Sequence, residues 1–173
     1  MATRSTLEVH FKLFGTDGVS LQSQELSKAL RTRGWQVHAC ASDVPESVEG
    51  LPIAELSYQS DDALALRRRL FNRDGDTGVD LVTELQQRAR TIRERVEKYV
   101  DEHDIRVLHI RNIMSLPYNL PATLAFYQLI VDRPDLFFLL QHHDLYWEGP
   151  NARNFESPYP EDLQHALDVL RAD

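Results

Sequence analysis

The chain has 173 residues, 42% of them hydrophobic, and carries a net charge of −8 from 27 acidic and 19 basic side chains. That length supports one domain, residues 1–173, burying roughly two-thirds of its unfolded surface, with no room for a second full domain. The acidic balance argues against a general nucleic-acid binder, which needs clustered Lys and Arg against phosphate, and the single cysteine, Cys40, excludes an internal disulfide and a cysteine-based zinc site.

Leu7, Val9, Phe11 and Leu13 alternate with polar residues and predict a first strand that runs to the turn at Gly15 and Gly18. From Val19 the apolar positions Leu26, Ala29 and Leu30 take helical spacing, and Gly34 marks the helix stop. Trp35 to Ala41 is the second strand, so the first 41 residues form a βαβ unit with a right-handed crossover and a parallel strand pair. Cys40 falls inside this apolar run and reads as a buried, inert thiol.

Ile53 to Leu56 is a short candidate strand and Asp61 to Phe71 a helix, whose Arg67-Arg68-Arg69 run reads as a solvated face. Asn72 to Gly78 is a loop. The strongest helical period starts at Val79 and repeats through Val82, Leu85, Ala89, Ile92, Val96, Tyr99 and Val100 to about His103. Val107 to Ile110 is a fourth strand; Pro117 or Pro121 opens the next helix, continued by Leu124 to Val131. Leu136 to Leu140 is uniformly apolar, as expected of a parallel strand covered on both sides. Leu163, Ala166, Leu167 and Leu170 predict a last helix over Glu161 to Leu170. No stretch approaches the roughly 18 apolar residues of a membrane span and no secretory leader is evident, so a cytoplasmic location is expected.

This alternation predicts an α/β fold, a doubly wound, mainly parallel, Rossmann-like sheet. In such sheets ligands bind outside the carboxyl ends of the strands. Three strand ends carry unusual residues: Gly15 to Ser20, Arg111 with Asn112, and His142 to Glu148. The Gly15-Thr16-Asp17-Gly18 turn either approaches an anion such as a phosphate or is an ordinary turn in which Thr16, Asp17 or Ser20 caps the helix. Neither GxGxxG nor a P-loop is present, although Asp43 follows the second strand where a dinucleotide fold places its ribose-binding acid. His142, His143 and Asp144 offer a general base, a hydrogen bond to a sugar hydroxyl or local capping. Adjacent residues on a strand point to opposite sides, which disfavours one metal shared by both histidines, and no metal site is expected. Tyr146 and Trp147 either stack on a sugar ring or close a core edge. His10, His38, His103, His109 and His165 read as structural or surface residues.

Phe14-Gly-Thr-Asp-Gly-Val-Ser-Leu-Gln22, followed by Glu25-Leu-Ser-Lys-Ala-Leu-Arg-Thr-Arg-Gly-Trp-Gln-Val37, resembles the opening of a GT-B glycosyltransferase of the retaining family 4 type, with Trp35 in place of the usual His of L-x-x-x-G-H-x-V. His109 to Pro121 and Gln141-His-His-Asp-Leu-Tyr-Trp-Glu148 resemble a bacterial subgroup with an H-H-D-F-Y-W-E-R stretch, with Gly149 where that subgroup often has Arg. The resemblance covers nearly the whole chain but only the amino-terminal, acceptor-binding half of such an enzyme. It implies that Gly15, Asp17, Gly18 and Val19 form a loop facing donor phosphate and sugar. His143 and Asp144 would lie in the catalytic cleft, with Asn112, Tyr146 and Trp147 lining the acceptor side. It further implies a nucleotide-sugar as donor substrate with no separate cofactor, a sugar or glycoside acceptor, and a donor-binding domain or subunit in cis or in trans, without which the chain is inactive. The alternative is a non-catalytic glycan- or protein-binding module of the same fold; a third reading, a nucleotide-cofactor oxidoreductase, predicts dinucleotide binding.

Overall fold

A computed structural model describes residues 4–72 and 79–145. The strands are β1 (Ser5–Val9), β2 (Gln36–Ala41), β3 (Gly50–Pro52), β4 (Val107–Arg111) and β5 (Phe137–Gln141); the helices are α1 (Gly18–Thr32), α2 (Asp61–Asn72), α3 (Val79–Glu102) and α4 (Leu120–Asp132). The five strands form one sheet in the order β3-β2-β1-β4-β5, and every pairing is parallel. This is the expected Rossmann-like α/β fold.

Paired residues in a parallel sheet share a face, so the register sorts the side chains. Leu7 and Val9 align with His38 and Cys40 of β2 and with Leu108 and Ile110 of β4. This face packs against α3 and α4: Leu85, Ala89, Ile92, Val96 and Val100 supply the α3 stripe, and Leu124, Ala125 and Leu129 the α4 surface. The 3.6-residue period of α3 is what turns those side chains to one side. On the opposite face Glu8 aligns with Ala39 and His109, and α1 covers it with Ser20 and Ser23 as its buried residues. Helices thus lie on both faces, as a doubly wound sheet requires.

Three boundaries depart from expectation. β1 ends at Val9 rather than at Gly15, because beyond it the His10 and Ser42 amides bond to Cys40 and Phe11 carbonyls as the chain turns off the sheet; Phe11 and Leu13 are buried all the same. The third strand is Gly50–Pro52, and Ala54–Leu56 is a 3₁₀ turn. The backbone approach at Gly50 explains the shift: an added Cβ would stand 2.3 Å from the Ala39 carbonyl oxygen, so only glycine lets β3 close on β2 there. β5 is an edge strand with Phe137, Leu139 and Leu140 exposed, not the covered strand its composition suggests. Gly34 does end α1, at φ +81°, with its amide bonded to the Arg31 carbonyl.

Pro121 rather than Pro117 lies in the first turn of α4. Asn119 caps that helix through the Ala122 amide at 3.1 Å and donates its own amide to the carbonyls of Glu55 and Ser57, tying α4 to the 3₁₀ turn. The expected loop at 73–78 and the helix over Glu161 to Leu170 lie outside the described residues. Among the described residues no helix is long and apolar enough to cross a membrane.

Gly50→Ala is expected to lower the free energy of unfolding by about 1–3 kcal/mol, as overpacking does. Gly18→Ala, where an added Cβ meets nothing within 4 Å, should change it by less than about 0.5 kcal/mol. Urea unfolding of the two variants checks the contrast.

Candidate functional site

From β1 the chain crosses to β2 on one side and, later, to β4 and β5 on the other. The crevice between the carboxyl ends of β1 and β4 is therefore the topological switch point, where such sheets bind ligands. Three segments frame it: residues 10–17 after β1, 112–119 after β4 and 142–145 after β5.

Its floor is ionic. Glu8 is 2% exposed and Arg111 fully buried. One Glu8 oxygen accepts from Nε and Nη2 of Arg111 at 3.3 and 3.2 Å and from the Ser23 hydroxyl at 3.5 Å. The other accepts from His109 Nδ1 at 3.1 Å. Arg111 Nη1 reaches the Gln22 side-chain oxygen at 3.0 Å, which also accepts from Gln141. Strands β1, β4 and β5 and helix α1 are joined through this one network. His109 Nδ1 donates its proton toward Glu8, and its Nε2 is buried with no partner among the described residues.

The rim carries the titratable groups. His10 is 8% exposed, and its Nδ1 donates to the Lys12 carbonyl at 2.6 Å. The Lys12 amide stands 3.3 Å from the same nitrogen, a close contact rather than a second bond, because Nδ1 already holds the proton. Burial is the main cause holding the His10 imidazole below its ordinary pKa, with the charges of Arg111 and His143 acting the same way and Lys12 and Asp17 opposing. Asp17 caps α1: its carboxylate accepts from the Ser20 amide at 2.9 Å and the Ser20 hydroxyl at 2.8 Å. The amide bond is the largest cause of its lowered pKa. A Cβ on Gly15 would come within 2.5 Å of that carboxylate and 2.9 Å of Lys12 Cε.

Asn112 ends β4 in the left-handed region at φ +57°. Its side-chain oxygen accepts from the His143 backbone amide at 2.8 Å, and its own amide bonds to the Gln141 carbonyl at 2.9 Å. Asn112 thus positions the segment after β5, leaving the side chains of His143 and Asp144 exposed. Tyr118 stacks on Tyr58 with ring centroids 5.1 Å apart, and Phe11 meets both rings. Burial raises the Tyr118 pKa, and the charge of Asp144 adds to it. Tyr118 also lines a cavity of about 220 Å³ together with Ser60, Arg67, Leu70, Ile92 and Asn119.

Of the residues singled out, Asn112 and His143 are joined directly, Asp17 and His143 both act on His10 through their charges, and Gly15, Gly18 and Val19 stand in the turn and first helical turn after β1. Tyr146 and Trp147 lie outside the described residues. Cys40 is buried and its thiol is pushed up to about 12 by desolvation, as an inert residue should be. Sequence reasoning missed Glu8, passed over His10 and His109 as structural, and did not see the Tyr58–Tyr118 pair. One signal was available: a carboxylate between Leu7 and Val9 within a short strand, and an arginine directly after the apolar Ile110 at the end of another, are charges that burial forces to pair. The arrangement supplies a buried ion pair, a capped helix start, a pair of stacked tyrosine rings and the exposed side chains of His143 and Asp144.

No protein-family model matches the chain, and no solved structure matches it. It is similar to mannosylglucosylglycerate synthase of Petrotoga mobilis, 26% identical over 177 residues covering 92% of this chain. It is also similar to the Thermotoga maritima protein of the same name, 26% identical over 172 residues covering 94%. The chain spans 38% of the length of each of these curated relatives.

Arg111→Met alone leaves Glu8 buried without its counter-charge and is expected to cost about 3–5 kcal/mol, whereas the double change Glu8→Met with Arg111→Met should recover most of that loss; denaturant titration measures both. The lowered pKa values of His10 and His38 mean that the unfolded chain binds protons more readily than the folded one below pH 6.5. Stability is therefore full above that pH and declines as pH falls from 6.5 toward the folded-state values. His10→Asn should flatten part of the decline, read from melting temperature against pH.

Proposed function

We propose that this chain is the acceptor-side domain of a glycosyltransferase of the retaining GT-B kind and that transfer requires the donor-binding remainder of the protein. The observation that carries the reading is the likeness to two mannosylglucosylglycerate synthases across 92% and 94% of the chain. Polar groups gathered at the carboxyl ends of a parallel sheet support it. In the proposed reaction an acceptor hydroxyl attacks the anomeric carbon of a nucleotide-sugar, the bond to the diphosphate breaks, and the hydroxyl proton passes to a diphosphate oxygen on the same face of the ring. No protein nucleophile is assigned, and no cofactor beyond the nucleotide-sugar is needed.

In this reading Gly15, Asp17, Gly18 and Val19 form the loop that faces the donor sugar and its phosphates. Asp17 occupies the Ser20 amide, so the role of the loop is close approach and alignment rather than phosphate capture by that amide. His143 is the hydrogen-bond partner of the reacting sugar, with Asp144 beside it. Asn112 acts on the acceptor side through the bond that holds the His143 backbone, and Tyr146 and Trp147 complete that side. A cytoplasmic setting is part of the proposal.

The test is sugar transfer by this chain combined with a donor-binding domain, in cis or in trans, starting with a nucleotide-activated mannose and a glucosylglycerate acceptor, the pair suggested by the relatives' name. His143→Ala is expected to lower kcat by about 100-fold or more, the scale for losing one aligned hydrogen bond in a transition state. The 173-residue chain alone should be inactive. Full-rate transfer by the chain alone would overturn the division of labour, and failure of the combined protein to glycosylate any glycoside acceptor would overturn the reading itself.

A further inference from the structure

We infer that His38, Glu49 and His103 form a binding site for a divalent cation of the zinc type, lying toward the amino ends of the strands and separate from the candidate cleft. The three residues come from β2, from the connection entering β3 and from the turn after α3. One donor atom from each lies within 4.8 Å of the other two. The inference goes beyond sugar transfer and does not depend on it.

The donor set is the first argument. Two imidazoles and one carboxylate match Zn²⁺ and its first-row neighbours, whereas Mg²⁺ and Ca²⁺ prefer all-oxygen shells. Tetrahedral coordination at about 2.0–2.2 Å places donors roughly 3.3–3.5 Å apart. The donors lie within 4.8 Å of one another, so reaching that spacing takes small side-chain rotations of His103 and of Glu49, whose side chain is 65% exposed and already stands 3.7 Å from His38 Nδ1.

The supporting contacts are the second. His103 Nδ1 donates to the Tyr99 carbonyl at 3.0 Å, and its ring lies flat on the Tyr99 ring with centroids 4.0 Å apart. A backbone carbonyl that fixes one ring nitrogen is the usual support of a metal-binding histidine, because it leaves the other nitrogen with its lone pair. His38 is 2% exposed; its Nδ1 is 3.0 Å from the Tyr99 hydroxyl and its Nε2 has no partner among the described residues. Burial, the largest cause, lowers its pKa. The buried ring therefore presents a nitrogen to the site without a hydrogen-bond partner of its own elsewhere among the described residues. Three protein donors leave one position for water, and the ion would pin β2, the entry to β3 and the end of α3 together.

The experiment is titration of the metal-free full chain with Zn²⁺ by calorimetry, repeated with Co²⁺ to read the visible absorption of a four-coordinate ion. One equivalent is expected to bind and to raise the melting temperature. His103→Gln and Glu49→Gln, both at partly or fully exposed positions and checked for folding by circular dichroism, should each weaken binding by more than about 100-fold, beyond the 10–100-fold typical of losing a supporting partner. Each variant should also abolish the thermal shift, while His142→Gln leaves both unchanged. Absence of saturable binding, binding that survives both variants, or binding that moves with His142→Gln would overturn the site.

Discussion

The contact between Glu8 and Arg111 sits where the strand order reverses, with both side chains removed from water. Taking a carboxylate and a guanidinium into a protein interior costs several kcal/mol for each, and their attraction offsets this only when the remaining donors and acceptors also find partners. Here they do: Ser23, His109 and Gln22 fill the other positions, and Gln22 also takes the amide of Gln141. The rest of the crevice inherits its geometry from that floor. Arg111 is the last residue of β4, Asn112 turns the chain into the left-handed region directly after it, and Asn112 in turn holds the backbone of His143.

The two faces of the sheet divide the work. The face toward α3 and α4 is almost wholly apolar and holds the main hydrophobic cluster. Burial there supplies the bulk of the driving force, at roughly 25 cal/mol per Å² of apolar surface. The face toward α1 carries Glu8, His109 and Arg111, and α1 buries two serines against it. The apolar side can thus stabilise the sheet while the polar side keeps charged groups beneath the crevice. The exposed apolar residues of β5 show that stabilisation does not extend evenly to that edge.

Much of the fold was legible in the sequence because its signals are local. The i, i+3, i+4 stripe of α3, the strand–turn–helix at Gly15 to Val19 and the glycine after α1 each follow from side-chain spacing or backbone sterics within a few residues. Errors came where a distant contact outweighed local preference. Phe11 and Leu13 alternate as a strand does, yet they lie beyond the end of β1, Phe11 buried against the rings of Tyr58 and Tyr118 and Leu13 against Ala39 and Ala41 of β2. Ile53 to Leu56 has a strand's composition, but the close approach of Gly50 to Ala39 places the pairing three residues earlier. The uniform apolarity of β5 suggested cover on both sides, and its place at the sheet edge decided otherwise.

The site divides in the same way. Sequence by itself determined which residues stand at strand ends, His143 and Asp144 after β5, Asn112 after β4 and Asp17 after β1, because strand periodicity and turn chemistry are short-range. Only the tertiary structure decided which of them meet. Glu8 and Arg111 are 103 positions apart, His38 and Tyr99 61, and Asn112 and His143 31. No local rule relates such pairs; the strand order and its register bring them together, since a parallel sheet aligns residues by position along neighbouring strands and not by distance along the chain.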